Sequence, residues 1–225
     1  MKKALWAAVG LWVGWAVPGW ATPLQTLSAG ASPRALALGE VLRHGETDLL
    51  VANFGSPTFI GQKTSPASTA SSTVQIFSPS PMGLRLAATL ATQAGPRGLA
   101  AMDLDGSGLE SILVGDYDAQ KLEIFKWQSG SFQKSAEAST PAQPVGLAVG
   151  STSVRGGGQR FAAVADYGAG EVSLFPLSPS GIGGRVDVRV SGNPVQVAIG
   201  DFDGDGQNEI AVADLTGDKI DLLKM

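Results

Sequence analysis

The sequence predicts an all-β chain, a β-propeller of four four-stranded blades closed by an N-terminal strand that completes the last blade. Three observations lead there. One unit recurs four times, each copy opening on a proline and a short apolar strand: Pro33 to Gly39, Pro96 to Met102, Pro144 to Gly150 and Pro194 to Gly200. Glycine is frequent, 30 of 225 residues, and falls between short apolar runs, which is the punctuation of strands and turns rather than of helices. The fourth copy runs out at Met225 just after its third strand, while the segment from Leu24 to Pro33 aligns with the fourth-strand stretch Ala87 to Pro96 of the first copy.

Within each unit the second strand is a continuous apolar run ending on Asn or Asp: Leu49 to Asn53, Ile112 to Asp116, Ala162 to Asp166 and Ile210 to Asp214. Continuous runs read as strands buried on both faces. The third strand alternates apolar and polar (Val74 to Phe77, Leu122 to Phe125, Val172 to Phe175, Ile220 to Leu223), predicting one wet face. A weaker fourth strand follows, as at 85–90, 131–135 and 186–190. Units begin near 33, 96, 144 and 194, and the long first spacing comes from an insert at 56–72 rich in Ser, Thr, Pro and Ala. Such a composition forms no packed core and is read as a solvated loop or a contact surface on a blade edge.

Residues 1–21 are set apart. Lys2 and Lys3 precede an uncharged apolar run from Ala4 to Val17, Pro18-Gly19 breaks it, and Gly19-Trp20-Ala21 supplies small residues at the −3 and −1 positions of a cleavage site. This is a secretory leader, too short to span a bilayer, and it predicts a secreted or periplasmic chain of residues 22–225 with no membrane span. Losing the two lysines leaves 14 basic against 20 acidic residues. That balance, with no basic run, argues against nucleic acid as a partner. There is no cysteine, so export brings no disulfide framework.

Chemistry concentrates between the first and second strands of the fourth unit. Asp201, Asp203 and Asp205 stand two apart, Gly204 and Gly206 let the backbone curl, and Glu209 returns a carboxylate at the ninth position. Calcium takes six to eight hard oxygen ligands at about 2.3–2.6 Å. The expected ligands are Asp201, Asp203, Asp205, the carbonyl of Gln207, and Glu209. An EF-hand would place its glutamate at position twelve, which here is Val212 in an apolar strand, so the loop joins two strands instead. The second unit offers a weaker site from Asp103, Asp105 and Ser107, with Ser111 at the ninth position and Glu110 one residue early. The equivalent loops of the first and third units are expected to hold no metal.

The repeats, with Asp-x-Asp-Gly-Asp-Gly-x-x-Glu at 201–209 and strand endings such as Ala165-Asp-Tyr-Gly-Ala-Gly and Ala52-Asn-Phe-Gly, resemble the FG-GAP or VCBS repeats of integrin-α type propellers. That resemblance implies an extracellular propeller with calcium in the loops joining the first two strands of a blade, engaging a protein or glycan.

His44 is the single histidine, which removes His-based triads and multi-His zinc sites, and no nucleophile elbow or phosphate loop is present. Arg34 and Arg97, each following an opening proline, are a candidate anion site at the centre of the ring. The function expected is a non-catalytic protein- or glycan-interaction module. The competing class is a cell-envelope polysaccharide hydrolase or lyase using carboxylates at the channel mouth. Intramolecular closure by the N-terminal strand predicts a monomer.

Overall fold

The structure is a computed structural model and is described for residues 25–55, 72–154 and 157–225; the leader and nearly all of the 56–72 insert lie outside the described residues. It is an all-β propeller of four blades. Blade 1 contains β1 (Pro33–Gly39), β2 (Asp48–Asn53), β3 (Thr73–Ser80) and β4 (Gly83–Ala91); blade 2 contains β5 (Pro96–Met102), β6 (Ser111–Asp116), β7 (Lys121–Gln128) and β8 (Ser131–Ser139). Blade 3 contains β9 (Pro144–Ser151), β10 (Arg160–Asp166), β11 (Glu171–Ser178) and a split outer edge, β12 (Gly181–Ile182) and β13 (Val186–Arg189), both paired with β11. Blade 4 contains β14 (Pro194–Gly200), β15 (Glu209–Asp214) and β16 (Lys219–Leu223). All strand pairings are antiparallel, and all but that of β11 with β13 join sequence neighbours. Among the described residues no helix is long and apolar enough to cross a membrane.

The first strands lie innermost and pack in succession, β1 on β5, β5 on β9 and β9 on β14. Three apolar layers fill the spaces between blades. One joins Leu50, Ala52, Val74 and Ile76 to Leu99, Ile112, Val114 and Phe125; the next joins Ala100, Leu113 and Ile124 to Leu147, Ala162, Val164 and Phe175; the third joins Ala148, Ala163 and Leu174 to Val197, Ile210 and Val212. The second strands β6 and β10, each between two blades, are thus buried on both faces because alternate side chains serve different neighbours, whereas Ala213 of β15 is exposed. Close approach needs small residues: a Cβ on Gly98 would stand 2.8 Å from the Cβ of Leu147, and one on Gly146 2.7 Å from the Cα of Gln196.

Two expectations change. The polar positions of the third strands are buried in blades 2 and 3 and half-buried at Gln75 and Asp221 in blades 1 and 4. Glu123 is 1% exposed and Ser173 fully buried, because these positions receive the chain as it arrives at the blade. The amide of the residue three before the opening proline donates to them: Gly30 to Gln75 Oε1 (2.8 Å), Gln93 to Glu123 Oε2 (3.3 Å) and Ser191 to Asp221 Oδ2 (3.0 Å). In blade 3 that residue is Pro141, which has no N–H, and the hydroxyl of Ser173 turns to Asp187 instead (2.7 Å).

The second change is that residues 25–32 do not complete blade 4. Gln25 exchanges two hydrogen bonds with the backbone of Leu84, Gly30 is held by Gln75, and Ala31 and Ser32 accept from Gly55 and Phe54, all in blade 1. The sheet of blade 4 stays three-stranded, and the described residues show no packing of β14 on β1 comparable to the other three junctions. The lead-in bond fixes this segment to the blade it enters. Leu36, equivalent by repeat to Leu99, Leu147 and Val197, is 66% exposed where they are 6%, 7% and 4% exposed. Fully burying such a side chain is worth about 1.5–3 kcal/mol, so the end blades carry unspent stabilisation.

Candidate metal site and central cavity

The loop between β14 and β15 is shaped by its own carboxylates. Asp201 accepts from the amides of Gly204 (2.7 Å) and Gly206 (3.0 Å), Asp203 from that of Asp205 (3.1 Å), and Asp205 from that of Gln207 (2.8 Å). Gly204 and Gly206 adopt φ of 79° and 88°, a left-handed conformation that glycine takes without steric penalty. Glu209, first residue of β15 and nearly buried, accepts from the amide of Phe202 (3.0 Å) through one oxygen. Its other oxygen, Oε1, is buried without a hydrogen-bond partner. One oxygen each from Asp201, Asp203 and Glu209 lie within 4.8 Å of one another. A hard-oxygen set that includes a buried carboxylate oxygen with no hydrogen-bond partner fits calcium, which when bound would bring two positive charges to these carboxylates.

Asp205 lies outside that group. It shares with Asp203 the ammonium of Lys224, 2.7 Å from an oxygen of each and 3.9 Å from Glu209. The hydrogen bonds to Asp203 and Asp205 hold Lys224 protonated well above its ordinary range. Lys224 is thus an internal cation at the site, on an exposed side chain that can swing away. Sequence reading missed it, although the signal is in the repeats: Lys126, which follows Phe125 in β7, occupies the equivalent repeat position in blade 2, 2.9 Å from Asp105.

The blade 2 loop copies the turn. Asp103 accepts from Asp105, Gly106 and Gly108, and Asp105 from Ser107. Its acids do not converge in the same way. Glu110 turns outward to blade 1, where its Oε2 accepts from the amide of Glu40 (2.8 Å) while its own amide donates to the carbonyl of Glu40 (2.8 Å). Asn208, the matching residue in blade 4, likewise reaches blade 3, donating to the carbonyls of Ser151 (2.7 Å, side chain) and Thr152 (3.1 Å, amide). Position eight of the loop is therefore a clamp between blades, and position nine faces inward. Gln207 contributes to the same seam through its bridge to Ser153. In blade 1 the ninth-position Asp48 is spent on the amides of Val41 and Leu42 and on the hydroxyl of Ser78.

Arg34 and Arg97 do meet at the centre. The residue after each opening proline is the extra one in a register shift, which pushes it toward the axis. A cavity of about 460 Å³ is lined by residues of all four first strands, including Arg34, Arg97, Val145 and Val195, and by no carboxylate. Each guanidinium lies over an aromatic ring of its own blade, Arg34 over Phe54 at 5.7 Å and Arg97 over Tyr117 at 5.2 Å. Burial, then the charge of Arg34, lowers the pKa of Arg97.

The second strands end on buried acids. Asp214 caps its turn by accepting from the amide of Gly217 (3.0 Å), but both carboxyl oxygens of Asp116 and Asp166 are buried without hydrogen-bond partners. Burial, then neighbouring Glu123, pushes Asp116 up to about 10, and burial pushes Asp166 up to about 7. Blade 1 has neutral Asn53 there, donating to Thr73 and Gln75.

No protein-family model matches this chain, and no curated protein does. Among solved structures it is similar to the crystal structure of BBS1N in complex with ARL6DN, soaked with mercury: TM-score 0.57 and 14% identity, covering 88% of this chain and 53% of that one. For the same complex soaked with lead the TM-score is 0.56 and the identity 12%, with 91% and 59% covered. At such identity the likeness bears on the propeller fold alone. The chain spans between half and three-fifths of the length of those chains.

Proposed function

We propose that this chain is a secreted or periplasmic calcium-binding propeller of the FG-GAP/VCBS kind that acts as a non-catalytic interaction module for a protein or glycan. The observation that carries the metal is the orphaned Oε1 of Glu209 beside Asp201 and Asp203. Calcium there would tie the loop to β15 next to the seam that Asn208 makes with blade 3, so it belongs to the stability of the blade array. The partner class draws on the fold: the similar solved structures hold ARL6DN in complex, which favours a protein over a glycan. The location rests on the basic and apolar leader. A polysaccharide-cleaving enzyme finds less support, because the central cavity offers arginines rather than paired acids, and the Asp116 and Glu123 carboxyls are sealed from any substrate.

The test is calcium titration of the full chain stripped with chelator, followed by calorimetry and thermal melting. One tight equivalent is expected. At a hundred times the dissociation constant binding adds about 2.7 kcal/mol, or a melting shift of roughly 5–10 °C. Asp203→Ala should remove most of that shift. An unchanged melting curve in protein shown metal-free by elemental analysis overturns the site.

A further inference from the structure

The blades obey a packing rule that the two ends of the array leave unfinished. At every junction the third residue after one opening proline joins the same apolar cluster as the fourth residue after the preceding one: Leu99 with Ala37, Leu147 with Ala100, Val197 with Ala148. The third strand of the earlier blade adds its two apolar residues, Val74 and Ile76 in blade 1 and Leu122 and Ile124 in blade 2, all fully buried. Among the described residues no neighbouring blade covers the receiving half of this junction on blade 1, although Val51 and Phe77 there are only 5% and 3% exposed. Leu36 and Leu38 are 66% and 67% exposed, and Leu49, Val51 and Phe77 line an apolar groove of about 470 Å³ bordered by Leu27 and Ala29. Blade 4 presents the donating half. Ala198 is exposed on β14, and Ile220 and Leu222 on β16 are 73% and 62% exposed.

We infer that the free face of blade 4 in one copy docks on the free face of blade 1 in a second copy, and that two copies joined head to tail at both ends form one eight-bladed ring. The two faces complement each other because they are the halves of a junction this chain builds three times internally. The register carries over: Ala198 meets Leu36 of the partner copy, and Ile220 and Leu222 enter the groove of Leu49, Val51 and Phe77. A head-to-tail contact makes open filaments unless the rotation closes. Two copies contribute eight blades, a number within the range that closes. Intramolecular closure, the ground for expecting a monomer, required residues 25–32 on blade 4, and they lie on blade 1.

The inference is tested on the full chain by sedimentation and by cross-linking. Wild type is expected to run as two chains at micromolar concentration. Leu36→Glu and Ile220→Lys alter exposed side chains, so each should keep the wild-type circular dichroism and fall to one chain. The chain has no cysteine, so Leu36→Cys combined with Ala198→Cys offers one defined pair, and mild oxidation should yield a covalent species of two chains. A wild-type mass of one chain throughout, an oxidised product linked within one chain, or a ladder of longer species each overturns the two-chain ring.

Discussion

The loops of blades 4 and 2 share a turn and differ in what their last acid does. Both wrap backbone amides around a first aspartate, both seat glycines in left-handed conformations, and both are met by a lysine from the same repeat position of the third-strand segment. In blade 4 the acid is at position nine, where Glu209 points inward with one oxygen unsatisfied; in blade 2 it is at position eight, where Glu110 is used up clamping blade 1. Neighbouring positions along an extended chain face opposite ways. A shift of one residue thus turns a candidate ligand into a fastener, and the count of acids in a loop says less than their parity.

The largest effect should come from breaking the blade 4 loop. Glu209→Gln keeps an oxygen for the amide of Phe202 but removes the charge, and calcium affinity by calorimetry should fall by roughly a hundredfold, since ligand charge count sets the affinity of such sites. The converse change, Ser111→Glu, places an inward acid in blade 2. Elemental analysis of the calcium-loaded variant should rise from one to two ions per chain, and a second ion already present in wild type would refute the parity argument.

The exposed loop acids can also be set against the buried acid at the far end of β10. Asp166 is pushed up to about 7 by burial. Its folded-state pKa lies above the unfolded value of 3.8, so its contribution is fully present below about pH 4 and is lost as pH rises through 7. Asp166→Asn, imitating Asn53 of blade 1, should melt progressively above wild type from pH 5 to pH 8; a gap that stays constant with pH would refute the assignment. The smallest effect is expected from Lys224→Met, which removes the internal cation and should tighten calcium binding modestly, by roughly threefold, because exposed ion pairs are weak.

Most of the fold was legible. Prolines mark the first strands, and apolar runs place the second and third strands to within a residue or two at their starts, because burial on two faces leaves no alternative pattern. The aspartate spacing and Glu209 also announced their loop. Three things were not legible. The N-terminal segment resembles an outer strand, but where it pairs depends on the angle between blades, a sum over three interfaces that no local pattern encodes. Glu110 reads as a ligand in the sequence because proximity along the chain hides which way a side chain points. Lys224 escaped notice because its partners are 19 and 21 residues away.

The amide three residues before each opening proline is fastened to the blade it enters rather than the one it leaves. That places the physical seam of the repeat upstream of its most visible landmark. A cassette cut at the proline would strand the acceptors Gln75, Glu123 or Asp221, whereas one cut three residues earlier carries its own hook. Duplication, excision or grafting of blades should succeed at that seam, and blade 3, whose hook is missing at Pro141, is the unit most easily exchanged for another.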